Sequence, residues 1–359
     1  MSLNKNYKLS DYGVSDRFLS QAGIYPELRL ARVIGQYRNE YKIVSEVGET
    51  KAKISGKLRF DIKELVNFPT VGDFIMVDVE GNVIHQVLTR KSVFVRSAVG
   101  VSEQGQSVAS NIDNIFICMS LNNNFNLSRL ERYLGIAWDS GATPIILLTK
   151  SDLVESSELE KLISEAEKVS CYADIITTSA FDDSLIKDLG KYIKAGTTSA
   201  FIGSSGVGKS TLINKLIGEK VLDTADIGKG DKGRHTTTNK EMFISQLGGV
   251  LIDTPGMREL GIESANLSKT FEDIEELTKM CRFSDCTHMN EPNCAIIEAL
   301  ESGELDKRRF ENYNKIKTEA GYDGLSAKEI EVKKLERMFK EVGGMKNMRK
   351  FAKENYKNK

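Results

Sequence analysis

Apolar and polar residues alternate through residues 28 to 90 in five short runs: LRLARVIG, EYKIVSEV, TKAKISG, DFIMVDV and VIHQVL. Gly, Asn and charged residues separate them. Alternation at period two marks half-buried strands, and five such strands without a helical pattern predict a small barrel. An OB fold accounts for the pattern, and an SH3-like barrel fits it nearly as well. His85, inside the last run, is expected to face solvent.

From residue 111 the rhythm changes. NIFICMSL and TPIILLTK are continuous apolar strands. Between them, Leu127, Leu130, Leu134 and Trp138 recur at helical spacing. SSELEKLISEAEKVS carries Leu159, Leu162, Ile163, Ala166 and Val169 as a stripe, and Ser157 with Glu160 reads as a capping box. ADIITTS, SAFIGSS and GVLIDTP add strands with helices between. Strand–helix alternation with unbroken apolar strands predicts a parallel, doubly wound α/β sheet. After about residue 266 the chain reads as helical and charged. The expected division is an N-terminal extension (1–26), an all-β OB-fold barrel (27–95), a central α/β domain (105–265) and a helical C-terminal domain (266–359).

Composition adds little to this picture but excludes much. At 359 residues the chain is too long for one typical domain. Apolar content of 40% with 28% charged residues fits packed cores. A net charge of −1 removes any global pull toward nucleic acid or membrane, so nucleic-acid contact must rest on local patches. From Met345 onward six Lys and Arg face one Glu, which suits either a solvated terminus or an RNA-facing helix. The first residues lack the apolar core of a secretory signal, and no apolar run approaches membrane-spanning length. A cytoplasmic location without membrane contact is expected. Five cysteines, three of them between Cys281 and Cys294, argue against a disulfide framework.

The chemistry begins at GSSGVGKS. It satisfies G-x-x-x-x-G-K-S, with a strand before it and, in KSTLINKLIG, a helix after it whose apolar face is Leu212, Ile213 and Leu216. Gly203, Ser204, Ser205, Gly206, Val207 and Gly208 form a loop whose N–H groups wrap phosphates, and the helix N-terminus adds its positive end. Lys209 is expected on the β- and γ-phosphates, Ser210 on Mg²⁺, and Thr211 beside them. VLIDTPG ends a buried strand in Asp253, placed for a water-mediated Mg²⁺ contact, and the Gly256 N–H is placed to sense the γ-phosphate. Between these lies GKGDKGRHTTTNKEM. A threonine among Thr236, Thr237 and Thr238 is expected on Mg²⁺; spacing does not choose, and Thr237 is taken. Met257, after Gly256, has no side chain able to orient water, which leaves His235 as the polar candidate.

Upstream, LLTKSD ends a strand. The carboxylate of Asp152 offers two acceptors that match the N1–H and N2–H₂ donors of guanine and do not match adenine. Thr149, Lys150 and Ser151 complete this element, and the Lys150 stem is expected over the base. TTSA ends the next strand, where Ser179 and Ala180 would lie, the Ala180 N–H near the guanine O6. All these elements fall at the C-terminal ends of expected parallel strands, where ligands bind in open α/β sheets. Their order is base, base, phosphate, switch, metal: the set of a guanine-nucleotide hydrolase with its start point rotated. Finally, Cys281, Cys286, His288 and Cys294 fall within fourteen residues, the donor set of a closed structural zinc site. Cys118 and Cys171 read as core.

The combination of VGDFIMV, NFNLSRLERYL, GSSGVGKSTLIN, GRHTTT, DTPGMRELG and RFSDCTHMNEPNCA resembles the ribosome small-subunit-dependent GTPase A family. The resemblance implies an N-terminal OB domain, a circularly permuted GTPase and a C-terminal zinc domain. It also implies GTP hydrolysis stimulated by the small ribosomal subunit during its late maturation, contact with rRNA, and a role for the GRHTTT histidine. The chain is expected to act as a monomer. Where the family commonly has Asn, this chain has Thr149. The alternatives are a GTPase switch for a non-ribosomal partner and an RNA-binding scaffold with vestigial hydrolysis.

Overall fold

The computed structural model describes residues 7–37, 40–96, 105–179, 182, 184–222, 240–253, 267–320 and 329. The five alternating runs form β1 (Arg29–Gln36), β2 (Tyr41–Ser45), β3 (Gly48–Ile54), β4 (Phe74–Val77) and β5 (Val83–Val87). They pair in the order β1-β2-β3-β5-β4, and β4 returns to β1. The β3–β5 pair is parallel and the others are antiparallel. That closed Greek-key order is the OB arrangement and decides against an SH3-like barrel. His85 is exposed, as its alternation implied.

The N-terminal segment is built into this barrel. Helix α1 (Asp16–Ala22) places Phe18, fully buried, on Phe74 with ring centroids 4.1 Å apart. Helix α2 (Gly56–Asp61) packs against β5, its first turn capped by the Ser55 hydroxyl, which accepts from the Leu58 N–H.

Strands β6 (Val93–Arg96) and β7 (Gln106–Ser110) pair with each other between barrel and α/β unit. The α/β unit follows: β8 (Asn114–Ser120), α3 (Leu127–Asp139), β9 (Thr143–Thr149), α4 (Ser156–Glu167), β10 (Asp174–Thr178), α5 (Leu185–Leu189), β11 (Thr198–Ile202), α6 (Lys209–Ile217), β12 (Lys240–Ile244) and β13 (Val250–Asp253). The sheet runs β10-β9-β8-β11-β13-β12. Its first five strands are mutually parallel, and β12 is antiparallel to β13. Two details differ from expectation. Helix α4 starts at Ser156 with Glu155 as N-cap and no side-chain cap bond, so Ser157 lies inside the first turn and cannot cap. Cys171 is half-buried in a turn at φ 50° rather than in the core, its thiol donating to the Thr270 carbonyl at 2.8 Å.

The two sheets are continuous. Strand β12 pairs with β1 through Gly35–Glu241 and Gln36–Lys240, and the Tyr37 hydroxyl donates to Glu241 at 2.9 Å. Arg32, on β1, is fully buried and donates to the Gly72 carbonyl, to the Tyr12 carbonyl and to Thr198 Oγ1 on β11. Burial pulls its guanidinium below the usual arginine range, while Asp113 and Asp73 act the other way. Asp73 itself accepts from the Thr70 N–H, from Arg90 through Nε and Nη2, and from the Ser110 hydroxyl. Gly72 makes this seam possible. Its φ is +101°, and a Cβ there would lie 2.0 Å from the Ser110 main-chain oxygen.

Helices α7 (Leu267–Thr270), α8 (Glu272–Met280), α9 (Ala295–Ser302) and α10 (Lys307–Ala320) follow; α7 and α10 pack on α3, α8 packs on α7, and α9 packs on α8. Among the described residues no helix is long and apolar enough to cross a membrane.

Candidate functional site

The C-terminal ends of the parallel strands form one rim. Thr149 ends β9 in register with Ser120 of β8 and Thr178 of β10. Phe201, next to last in β11, pairs with Asp253, the last residue of β13. The base-reading, phosphate and metal elements predicted from separate parts of the chain therefore share one edge, as ligand sites in open α/β sheets do.

The phosphate loop starts from Gly203 at φ 146°, packed so closely on β8 that a Cβ would sit 2.4 Å from the Cys118 carbonyl oxygen. Gly206 and Gly208 also take positive φ, 76° and 97°, which lets the backbone turn its N–H groups inward before α6 begins. Val207 anchors the loop from below and is fully buried, whereas Ser204, Ser205, Lys209 and Ser210 are half-buried and Gly206 and Thr211 are exposed. The Lys209 ammonium donates to the carbonyls of Gly203 and Ser204, at 2.7 Å each. It is thereby held over the loop. Leu212, Ile213 and Leu216 fix α6 from behind, all buried as its periodicity predicted.

At the base element, Lys150 takes a left-handed conformation at φ 61° and opens a short 3₁₀ turn, Ser151–Leu153. That turn leaves Asp152 exposed at the rim. Thr149 is buried and its hydroxyl donates to the Val207 carbonyl at 2.7 Å. Ser179, beyond β10, is buried. Cys118 is core, its thiol pushed up to about 12 by burial, which leaves it inert. Ala180, His235, Thr236 to Thr238, Gly256, Met257 and the basic tail lie outside the described residues.

A second cluster follows α8. Ligand atoms of Cys281, Cys286, His288 and Cys294 all lie within 4.8 Å of one another, a set able to hold a metal ion. His288 Nδ1 is 3.6 Å from Cys281 Sγ and 3.4 Å from Cys294 Sγ, and the two sulfurs are 3.8 Å apart. Burial, with Lys317 nearby, lowers the His288 pKa and favours the neutral ring a metal requires. Sequence reading missed the residue that shapes this loop. The Glu291 carboxylate accepts from the N–H groups of Thr287, Met289 and Asn290 and from the Thr287 hydroxyl. These bonds, the Thr287 side chain first, hold its pKa down to about 2.

Also unforeseen is a buried charge network joining α3 to the C-terminal helices. Glu131 is fully buried and accepts from Arg309 at 2.8 Å, Arg308 at 3.1 Å and the Asn312 amide at 2.5 Å. Arg309 also forks onto Asp273, at 2.7 and 2.9 Å. Burial opposes the Arg309 charge, but Asp273 and Glu131 outweigh it and hold its pKa above the ordinary range.

A family model described as RsgA GTPase matches residues 87–263. A Lactiplantibacillus plantarum protein named small ribosomal subunit biogenesis GTPase RsgA 2 is 43% identical over 325 residues, covering 89% of this chain and 91% of its own. The chain belongs to the RsgA GTPase family. Its fold agrees. The crystal structure of YjeQ from Thermotoga maritima matches with TM-score 0.60 and 27% identity, over 82% of this chain and 98% of that one. That of YloQ, titled a circularly permuted GTPase, matches with TM-score 0.56 and 24% identity, over 83% and 96%. Membership of the RsgA family makes the chain a GTP hydrolase, and the rotated order of the elements along this rim agrees with a circularly permuted GTPase.

Proposed function

We propose that this GTPase binds the small ribosomal subunit late in its maturation, and that the subunit accelerates its hydrolysis of GTP to GDP and phosphate. The relative from Lactiplantibacillus plantarum, named for small ribosomal subunit biogenesis, supports this reading because it matches barrel, GTPase and C-terminal unit together. The observation that carries it is the continuity of the barrel sheet with the GTPase sheet through β1 and β12, which joins an RNA-binding type of fold directly to the hydrolase. The protein acts as a cytoplasmic monomer, with the barrel, helped by the basic tail, on rRNA.

Within the site, Asp152 reads the guanine edge, the Lys150 stem covers the base, and the Ala180 N–H meets O6. The loop from Gly203 to Thr211 holds the phosphates. Ser210, Thr237 and, through water, Asp253 attend the Mg²⁺, and Gly256 senses the γ-phosphate. His235 orients the attacking water once the subunit is bound.

The C-terminal cluster binds one structural zinc. A tetrahedron with Zn–S bonds of about 2.3 Å has S···S edges of about 3.8 Å, and S···N edges come to about 3.5 Å. The separations between Cys281, Cys294 and His288 agree with these values.

GTP turnover measured with and without purified small subunits tests the main reading. Absence of stimulation would overturn it, and tight RNA binding without turnover would point to a scaffold. For His235→Ala, unchanged GTP affinity with loss of subunit-stimulated turnover is expected; full stimulated turnover would remove its assigned role.

A further inference from the structure

Arg129 stands where helix energetics disfavour it. Asn126 is the N-cap of α3 and accepts from the Arg129 N–H, which makes Arg129 the third residue of the first turn. That position ordinarily suits Glu or Gln, and the positive end of a helix repels a cation. The first turn of α3 contains no acidic residue to offset it.

Nor do the described residues around it neutralise it. The nearby arginines are all paired: Arg132 with Glu319 at 2.8 Å, Arg308 and Arg309 with Glu131 at 3.1 and 2.8 Å. Arg129 is half-buried and, among the described residues, its side chain makes one hydrogen bond and no ion pair. That bond runs from Nη1 to Ser204 Oγ, 3.2 Å away in the phosphate loop. Ser204 is also where Lys209 is docked, through its main-chain oxygen. Two cations thus converge on one residue of a loop built to wrap phosphate. A guanidinium has five donors in a planar fork, so most of its capacity is unused in this contact.

We propose that Arg129 contacts the γ end of GTP and supplies, within the chain itself, positive charge for the transferring phosphoryl group. In hydrolysis a water oxygen bonds to the γ-phosphorus as the bond to the β–γ bridging oxygen breaks. The electron pair leaves with GDP, and the water's proton passes to the departing phosphate. Negative charge on the γ and bridging oxygens is what an arginine beside Lys209 stabilises. The need is visible in the sequence, because Met257 stands where Ras-like enzymes place a water-orienting Gln. Stability is given up locally at α3 and recovered only with a polyanion bound.

The test uses the full-length protein without ribosomal subunits, so its outcome is separate from the ribosomal reading. Single-turnover hydrolysis and the affinities for GDP and a non-hydrolysable GTP analogue are measured for Arg129→Ala and Arg129→Lys. Arg129→Ala is expected to slow hydrolysis about tenfold or more while GDP affinity stays within about twofold. Arg129→Lys, which keeps the charge and loses the fork, should fall between. Hydrolysis at the parental rate, or an equal loss of affinity for GDP and the GTP analogue, would make Arg129 a strut for the loop and overturn the proposal.

Discussion

The Thr149 hydroxyl donates to the Val207 carbonyl oxygen across 2.7 Å, and both residues are buried. This bond ties the end of β9, where we place the base-reading element, to the middle of the proposed phosphate loop. The family commonly has Asn at this position, and threonine makes the tie with a hydroxyl instead of an amide. Thr149→Val keeps the shape but leaves the Val207 carbonyl unpaired in a dry site. A loss of about 1–3 kcal/mol is expected in unfolding free energy, with weaker GDP binding, from denaturant titration and a binding isotherm. Unchanged values on both would show that the tie is dispensable.

Asp152 is presented at the rim by the left-handed Lys150, exposed and available to a base. Asp152→Asn replaces one acceptor by a donor. Xanthine carries an oxygen where guanine carries its N2 amino group, so the variant is expected to prefer XTP over GTP in competition binding. Retained preference for GTP would place the guanine contact elsewhere.

Why some of this was legible and some was not follows from range. The loop GSSGVGKS and the LLTKSD turn are short stretches whose conformations are fixed by their own glycines and strand ends, so spacing alone places them. The cysteine and histidine donors are likewise local. Long-range pairings left no such trace. Glu131 reads as a surface charge on an amphipathic helix, yet Arg308, Arg309 and Asn312, some 180 residues later, bury it completely. Arg32 reads as the polar member of an alternating strand and is fully enclosed by the seam. β12 was missed because KEMFI follows a polar, glycine-rich stretch without a turn signal, and its partners are β13 and the barrel's β1. The supposed capping box failed because β9 leaves through a 3₁₀ turn, and α4 starts two residues earlier than Ser157 as N-cap would set it.

The Glu131 network makes a stability prediction. Glu131→Ala leaves Arg309 and Arg308 without their shared carboxylate, and removing one partner of a buried pair costs about 3–5 kcal/mol. Urea unfolding should register that loss, and limited proteolysis should cut first between α7 and α10. Glu131→Gln, which keeps one acceptor for Asn312, is expected to lose less. Wild-type stability for Glu131→Ala would mean the network is solvated in solution.

Gly72 offers a sharper structural test at the seam. A left-handed φ of +101° disfavours any side chain, and the new methyl would meet the Ser110 carbonyl at 2.0 Å. Gly72→Ala is expected to cost more than the about 1–3 kcal/mol of backbone strain alone, because β7 must move to admit it. The Asp73–Ser110 bond would go with that movement. A crystal structure or amide exchange should show the change at residues 70–73 and 107–111. An alanine accommodated without movement of β7 would refute the close approach.

Metal removal separates the two halves of the site. On its α6 side the proposed nucleotide rim is held by Phe116 and Cys118 of β8, Phe201 of β11 and the apolar face of α6, a core separate from the one that takes in Cys294. The loop from Cys281 to Cys294, by contrast, is organised by the Glu291 carboxylate and the ligand set, with two main-chain bonds, Arg282 to Asn293 and Cys286 to Phe283. Elemental analysis is expected to find one zinc per chain. A chelator strong enough to remove it should lower the unfolding temperature and expose residues 281–294 to amide exchange, while GDP binding persists. Loss of GDP binding in step with zinc would instead mean that α3, gripped by Arg309 on one side and reaching Ser204 on the other, carries the disturbance into the phosphate loop.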